Sequence, residues 1–245
     1  MVSLLLFLRN VFGFMLCVLL LGGCAGPREK VVHDPWEGFN RSVYVFNDSL
    51  DKYALEPLAK GYRAVTPDPV ETGIGNFFSN LGDVGSFFNN LLQFKFTAAG
   101  HDLSRIAFNS TMGVAGFFDV ASGFGYPKSN EDFGQTLGAW GVNSGPYIVL
   151  PFLGPSTLRD TGALPVSYFL NPVNYVESSS DQNILTALGI VKTRAQLLKA
   201  SSVRDTAALD PYLFTREAFL QRRASLVRDG QPAKEDEDLD KLLDE

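Results

Sequence analysis

Groups able to do covalent or metal chemistry are scarce in this 245-residue chain and poorly spaced for it. Cys17 and Cys24 are the only cysteines, both in the first tenth of the sequence, so the body offers no thiolate nucleophile, disulfide or cysteine metal site. His33 and His101 stand far apart without a cysteine partner, which argues against a metal centre or a histidine-based triad. No G-x-S-x-G elbow, Walker loop or dinucleotide fingerprint occurs. Asp119, Asp132 and Asp160 would be the carboxylates for acid and base work, but with Arg105 and Arg159 available they read as helix caps and ion-pair partners. Recognition of an amphiphile is a different matter, because it needs no reactive group. Asn143, Ser144 and Tyr147 place an amide, a hydroxyl and a phenol directly before Ile148, Val149 and Leu150. Polar groups for a headgroup thus adjoin an apolar run for acyl chains, and tyrosine suits a boundary between wet and dry because its body is apolar and its tip polar.

The stretch that must position those residues runs from 133 to 160. Gly134, Gly138, Gly141, Gly145 and Gly154, with Pro146, Pro151 and Pro155, interrupt every short apolar run in it, so a long regular element is not expected. It is too aromatic and apolar for disorder, and is expected to be a fixed loop facing lipid, with Gly141, Gly145 and Gly154 as hinges. Burial of the same irregular segment in an ordinary core is the competing reading.

At the N-terminus, Arg9, the apolar run Val11 to Leu21 and the small residues Gly22 and Gly23 have the layout of a signal peptide. Leu21-Gly22-Gly23-Cys24 resembles the bacterial lipobox, which implies cleavage before Cys24, a diacylglycerol on its thiol and an acyl chain on the new amine. Two or more chains give stable anchoring where one gives reversible binding. Ala25 in place of Asp favours the outer membrane. Residues 1–23 are therefore expected as leader, 24–33 as lipidated tether, 34–230 as a helical domain and 231–245 as an acidic, disordered tail. That tail is most of the stretch from Asp229 to Glu245, whose eight acidic residues against Lys234 and Lys241 account for the whole net charge of -6. The remainder is nearly neutral and has no basic stripe, which sets nucleic acid aside. Hydrophobic residues make up 45% of the chain, yet after the leader no apolar run reaches the roughly 18 to 20 residues of a membrane-crossing helix.

The body reads as mainly α-helical. Asp34-Pro35-Trp36-Glu37 has the order of N-cap, first helical position and capping-box glutamate, Asp68-Pro69-Val70-Glu71 repeats it, and Asp210-Pro211 repeats its first half. Trp36, Phe39, Val43, Phe46, Leu50 and Tyr53 form one stripe, either core or a face lying on lipid. Two aromatic and amide blocks, residues 76–81 and 87–92, predict two short helices. A longer one is expected over 97–112 with Leu103, Ile106 and Ala107 packed inward. Residues 163–176, broken by Pro165 and Pro172, read as irregular or as a pair of broken turns, and further helices are expected over 181–200 and 211–228.

Several segments carry a resemblance. Phe133-Gly-Gln-Thr-Leu-Gly-Ala-Trp-Gly-Val142, Gly145-Pro-Tyr-Ile-Val-Leu-Pro-Phe-Leu-Gly-Pro-Ser-Thr-Leu-Arg-Asp160, Asp34-Pro-Trp-Glu-Gly-Phe-Asn-Arg41 with Phe46-Asn47, Phe117-Phe-Asp-Val-Ala121 and Thr193-Arg-Ala-Gln-Leu-Leu198 are similar to the MlaA (VacJ) family of outer-membrane lipoproteins. The resemblance covers nearly all of residues 34–228. It implies a helical ring in the inner leaflet of a Gram-negative outer membrane, with a pore that moves misplaced phospholipid from the outer leaflet toward the periplasm. It also implies a trimeric porin around the ring and a soluble periplasmic lipid carrier below it, and no enzymatic activity. A structural lipoprotein that only tethers or assembles others is the alternative, and a lipid hydrolase comes third.

Overall fold

The computed structural model describes residues 34–231. The leader, Cys24 and its tether, and all but the first residue of the tail lie outside the described residues. The body is helical, and its order is α1 (Glu37–Leu50), a π-helical turn (Asp51–Leu55), α2 (Glu56–Val65), α3 (Asp68–Leu92), α4 (Phe96–Thr111), α5 (Val120–Gly123), α6 (Phe133–Ala139), β1 (Tyr147–Leu150), β2 (Gly154–Thr157), α7 (Leu158–Phe169), a 3-10 turn (Pro172–Tyr175), α8 (Ser179–Ala207) and α9 (Pro211–Val227).

What distinguishes the packing is its polarity. Along α3 the buried stripe is Gly73, Asn80, Asp83, Ser86, Asn89 and Asn90, and along α4 it is Ala99, Asp102, Arg105 and Asn109. These two helices close on each other through charge-assisted hydrogen bonds. Arg105, fully enclosed, bonds Asp83 (3.4 Å), Asp119 (3.1 Å), the Ser122 hydroxyl and the Tyr126 carbonyl (3.0 Å each). Asn90 donates to Asp102 at 2.7 Å, and Ser129 joins the same carboxylate. Large apolar side chains take the outside: Phe96 is 66% exposed, Leu103 53% and Phe118 56%. Buried polar groups are tolerable only when bonded, and most of these are. The exposed apolar face would be costly in water and is suited to hydrocarbon.

Several expectations change on this ground. Leu103 and Ala107 point outward, so the packing side of α4 is the polar one. Likewise Phe39, Phe46 and Tyr53 of the α1 stripe are exposed on an outer face, while Val43 of the same stripe packs inward, so the stripe divides between the two readings. The two short helices of residues 76–92 are one 25-residue helix. Its glycines weaken it intrinsically by about 1 kcal/mol each, but polar contacts with α4, such as Asn80 to Ser110 and Asn90 to Asp102, offset that cost. At Gly73 a Cβ would meet the Phe117 ring at 2.1 Å, so the small residue admits that ring. Residues 163–176 are mostly ordered: α7 continues through Pro165 to Phe169, and the 3-10 turn follows.

Helix starts are mixed. Asp210 caps α9 through the Tyr212 and Leu213 amides as expected. Asp68 is itself helical, with Pro67 before it at the N-cap. At Asp34 the expectation holds only in part: α1 begins at Glu37 with Trp36 at its N-cap, and the buried Asp34 carboxylate accepts from the Trp36 N–H at 3.3 Å but also from the Asn40 amide at 2.8 Å and from the Tyr212 hydroxyl.

The central stretch is the largest correction. Residues 133–160 are not an irregular loop but hold α6, an antiparallel β1–β2 hairpin registered Tyr147 to Thr157 and Leu150 to Gly154, and the start of α7. Tyr-Ile-Val-Leu is a β-favouring run between two prolines. Its open edge is covered by side chains. Asn40 accepts from the Val149 N–H (2.8 Å) and donates to the Tyr147 carbonyl (3.1 Å). Asn47 accepts from the Phe152 N–H and donates to the Leu150 carbonyl, both at 2.9 Å. Seven residues of helix advance about 10.5 Å and three of strand about 10 Å, so two amides two turns apart on α1 match the strand. An edge that would recruit another chain is thereby closed.

Candidate lipid cavity

Between α3, the hairpin turn, the end of α7, the 3-10 turn and α8 lies a cavity of about 690 Å³, within the range of about 300–1,000 Å³ usual for ligand sites. Phe78 and Leu81 of α3, Phe152 and Leu153 of the turn, and Leu185 and Ile190 of α8 give it apolar walls. Asn89, Glu131, Asp132 and Arg194 add polar and charged groups on the same lining. Among the described residues no helix is long and apolar enough to cross a membrane, and no cluster of His, Cys, Asp and Glu would hold a metal ion.

Each wall is held by a specific contact. Arg194 bonds Asp51 with both arms (2.6 and 2.8 Å) and approaches Glu56 at 3.6 Å, tying α8 to the π-helical turn that places Leu55 on the lining. Such turns recur at functional sites. Asp132 caps α6 at the Gln135 N–H (2.9 Å) and pairs with Arg223, which also bonds Asp160 at 2.9 Å. Burial raises the Asp132 carboxyl, but Arg223 outweighs it and holds the group below the ordinary carboxylate range. Gly134 makes room for this bridge, since a Cβ there would stand 2.4 Å from Asp160 Oδ1 and 2.7 Å from Arg223 Nη2.

The sequence-predicted site residues are dispersed. Tyr147 does not border the cavity: it is 0% exposed and packed against Val43, Tyr44, Tyr212 and Phe219, with its hydroxyl unpartnered. Burial, followed by the Asp34 charge, pushes that hydroxyl well above its usual range, so it stays neutral. Residues alternate faces along a strand, which sends Tyr147 and Val149 inward to this small core. Asn143 and Ser144 are respectively exposed and half-buried, Asn143 accepting from the Gly145 N–H at 3.0 Å in a local turn, and neither lies on the cavity lining. Gly141, Gly145 and Gly154 all have positive φ, of 88°, 66° and 82°, so the turns at all three require glycine. As caps and ion-pair partners, Asp119, Asp132 and Asp160 stand as read from the sequence. The central stretch does reach the cavity, but through Phe152 and Leu153. Phe152 has φ 64°, a strained conformation for an aromatic residue, held by Asn47 and by the Phe46 ring at 5.3 Å edge-on. Arg194 was visible in the sequence only as part of the Thr193-Arg-Ala segment, because its partner Asp51 is remote in the chain.

Comparison with known proteins follows the same outline. A family model described as MlaA lipoprotein matches residues 32–226. The chain is 37% identical to the intermembrane phospholipid transport system lipoprotein MlaA of Escherichia coli, covering 86% of each chain, and 32% identical to the protein of that name from Haemophilus influenzae, covering 97% of this chain and 98% of the other. An uncharacterised protein of Rickettsia conorii is 36% identical over 80% of this chain and 79% of its own length. A solved structure from work on the structural basis for maintenance of bacterial outer membrane lipid asymmetry superposes with a TM-score of 0.69 at 35% identity, covering 80% of this chain and 99% of that one.

Proposed function

The chain belongs to the MlaA lipoprotein family, and from that membership together with the cavity we propose that it removes phospholipid from the outer leaflet of the outer membrane and so maintains lipid asymmetry. The single observation that carries the mechanism is the amphipathic lining: one hollow presents leucine, isoleucine and phenylalanine to acyl chains and Asn89, Glu131, Asp132 and Arg194 to a headgroup. An apolar exterior over a polar, hydrogen-bonded interior supports residence in the membrane, where the cavity is a path for the lipid and the helices around it face hydrocarbon. A protein that only tethered others would have no use for this hollow. The finer features belong to the same proposal: acylation at Cys24 as the anchor, the inner leaflet as the site of residence, a trimeric porin at the outer face and a periplasmic carrier as the acceptor. No reactive side chain is needed, since desorption from one leaflet into a matching cavity is non-covalent.

The test fills the cavity without disturbing the fold. Gly82 and Gly85 of α3 line it, and a Cβ at either meets nothing within 4 Å. Gly82→Phe and Gly85→Leu place bulk in the hollow while replacing poor helix formers. Cells carrying them at normal protein level are expected to accumulate surface-exposed phospholipid. Normal asymmetry with a demonstrably filled cavity would remove the conduit reading.

A further inference from the structure

Helices α3 and α8 line two hollows: the central cavity, and a second of about 530 Å³ between the first turns of α3 and residues Lys192 and Gln196 of α8. The second differs in chemistry, since every residue on its lining except Gly75 is polar or charged. Asp68, Thr72 and Gln196 on that lining are exposed, so the hollow opens at the surface. That opening is polar where much of the exterior carries exposed phenylalanine and leucine, so it faces water and not hydrocarbon. Phe78 stands at the seam between the two hollows. It lines the cavity, and the next residue, Ser79, lines the polar hollow. Across the seam Gly189 lines the cavity, and Lys192, one turn on along the same face of α8, lines the polar hollow. The Phe78 ring lies against α8 where that helix has no side chain: a Cβ at Gly189 would stand 3.2 Å from its Cε1.

Its own helix leaves this ring room to move. Side chains three and four positions away on a helix are the ones that crowd each other, and for Phe78 two of these positions, Gly75 and Gly82, are glycine. A Cβ at Gly82 would meet nothing within 4 Å, and one at Gly75 nothing nearer than Gln196 and Lys192 at 3.8 Å. Open space therefore lies on both sides of the ring along α3. A helical phenylalanine has two accessible χ1 wells about 120° apart, and neighbours that would fix it in one of them are missing here. From this geometry we propose that Phe78 is the constriction of the conduit: its ring, laid on Gly189, shuts the cavity from the polar hollow, and turning it into the space beside Gly75 or Gly82 opens a way out to water. The proposal rests on the conduit reading and adds to it the place of exit and the residue that controls it. An apolar ring suits this task, because a hydrophobic constriction excludes water and ions while closed and gives a passing headgroup no polar group on which to stall.

The test follows how fast cells clear phospholipid from the outer leaflet after a chelator pulse has drawn it there, with the full-length protein as their only copy and variants matched in amount and in melting temperature. Phe78→Trp enlarges the plug and is expected to slow clearance to the rate of cells lacking the protein. Phe78→Ala removes the plug and is expected to clear at least as fast as the parent; Phe78→Leu, also smaller than the ring, takes its place if alanine lowers the melting temperature. Opposite signs separate a constriction from packing, because a residue needed only for the fold would slow clearance in both directions of size. Slow clearance in the small-side-chain variant, or parental clearance in Phe78→Trp, would overturn the proposal. Gly82→Phe tells the two readings apart. If it blocks clearance while Phe78→Trp does not, lipid leaves by another way and the conduit stands without this exit. If Gly82→Phe also clears at the parental rate, the conduit falls and the constriction falls with it.

Discussion

Removing the Asn40 side chain should unfasten the hairpin from α1, and the cost can be worked from its contacts. Asn40 is 0% exposed and serves three buried groups: the Val149 N–H, the Tyr147 carbonyl and the Asp34 carboxylate. Asn40→Ala leaves the first two without a partner in a space water does not reach, and a stranded buried polar group costs about 1–3 kcal/mol. The expected loss is about 3–5 kcal/mol, part of it recovered if the hairpin shifts. Asn47→Ala is the internal comparison. It also strips one donor and one acceptor, from Leu150 and Phe152, but at a half-buried site where water can substitute, so about 1–2 kcal/mol is expected. Urea unfolding in detergent, followed by near-ultraviolet circular dichroism, measures both. Amide hydrogen exchange locates the effect: Val149 should lose protection in the first variant and Phe152 in the second. Equal destabilisation by the two variants, or a Val149 amide as protected in Asn40→Ala as in the parent, would refute the account of these side chains as a substitute strand.

Tyr147→Ala should cost about 3–5 kcal/mol as a core truncation, while Tyr147→Phe, which removes an unpartnered buried hydroxyl, should be neutral or slightly stabilising; thermal melting in detergent separates the two. Gly134→Ala drives a methyl into the Arg223–Asp160 bridge and should lower stability by about 2–4 kcal/mol, visible as a reduced urea midpoint. Asp119 gives an acid limb to stability: burial raises its carboxyl, but hydrogen bonds from Ser122, Arg105 and Asn109 together bring it down to about 2. Since that lies below the unfolded value of about 3.9, its contribution, no more than about 2.6 kcal/mol, is complete above the unfolded pKa and is lost as pH falls through the folded one. Urea midpoints taken between about pH 2 and 5 should therefore flatten in Asp119→Asn.

The amino-acid sequence by itself determined the helical class, the limits of α4 and α9 to within a residue, the cap at Asp210, the scarcity of reactive groups, and the glycine requirement at 141, 145 and 154. These are local matters of capping, φ and composition. It also carried the family resemblance, in motifs whose residues turn out to be structural: Asn40 and Asn47 close the strand edge, Gly134 admits the Arg223 bridge, and Arg194 ties α8 to the π-helical turn. Which face of each helix turns inward was decided only by the tertiary structure. Periodicity shows that a helix has two faces, but assigning the apolar one to the inside presumes water outside, and in α3 and α4 the asparagines and carboxylates are inside because their partners lie on the facing helix and on the segments packed beside it, among them Asp119, Lys128, Ser129 and Thr136. Tyr147 was misread for a related reason, since strand alternation gives two sides and only the position of α9 shows which is enclosed. The cavity likewise belongs to no single segment. Phe152, Leu81, Ile190 and Arg194 meet because pairings remote in sequence, Asn47 with the hairpin and Asp51 with Arg194, bring their elements together.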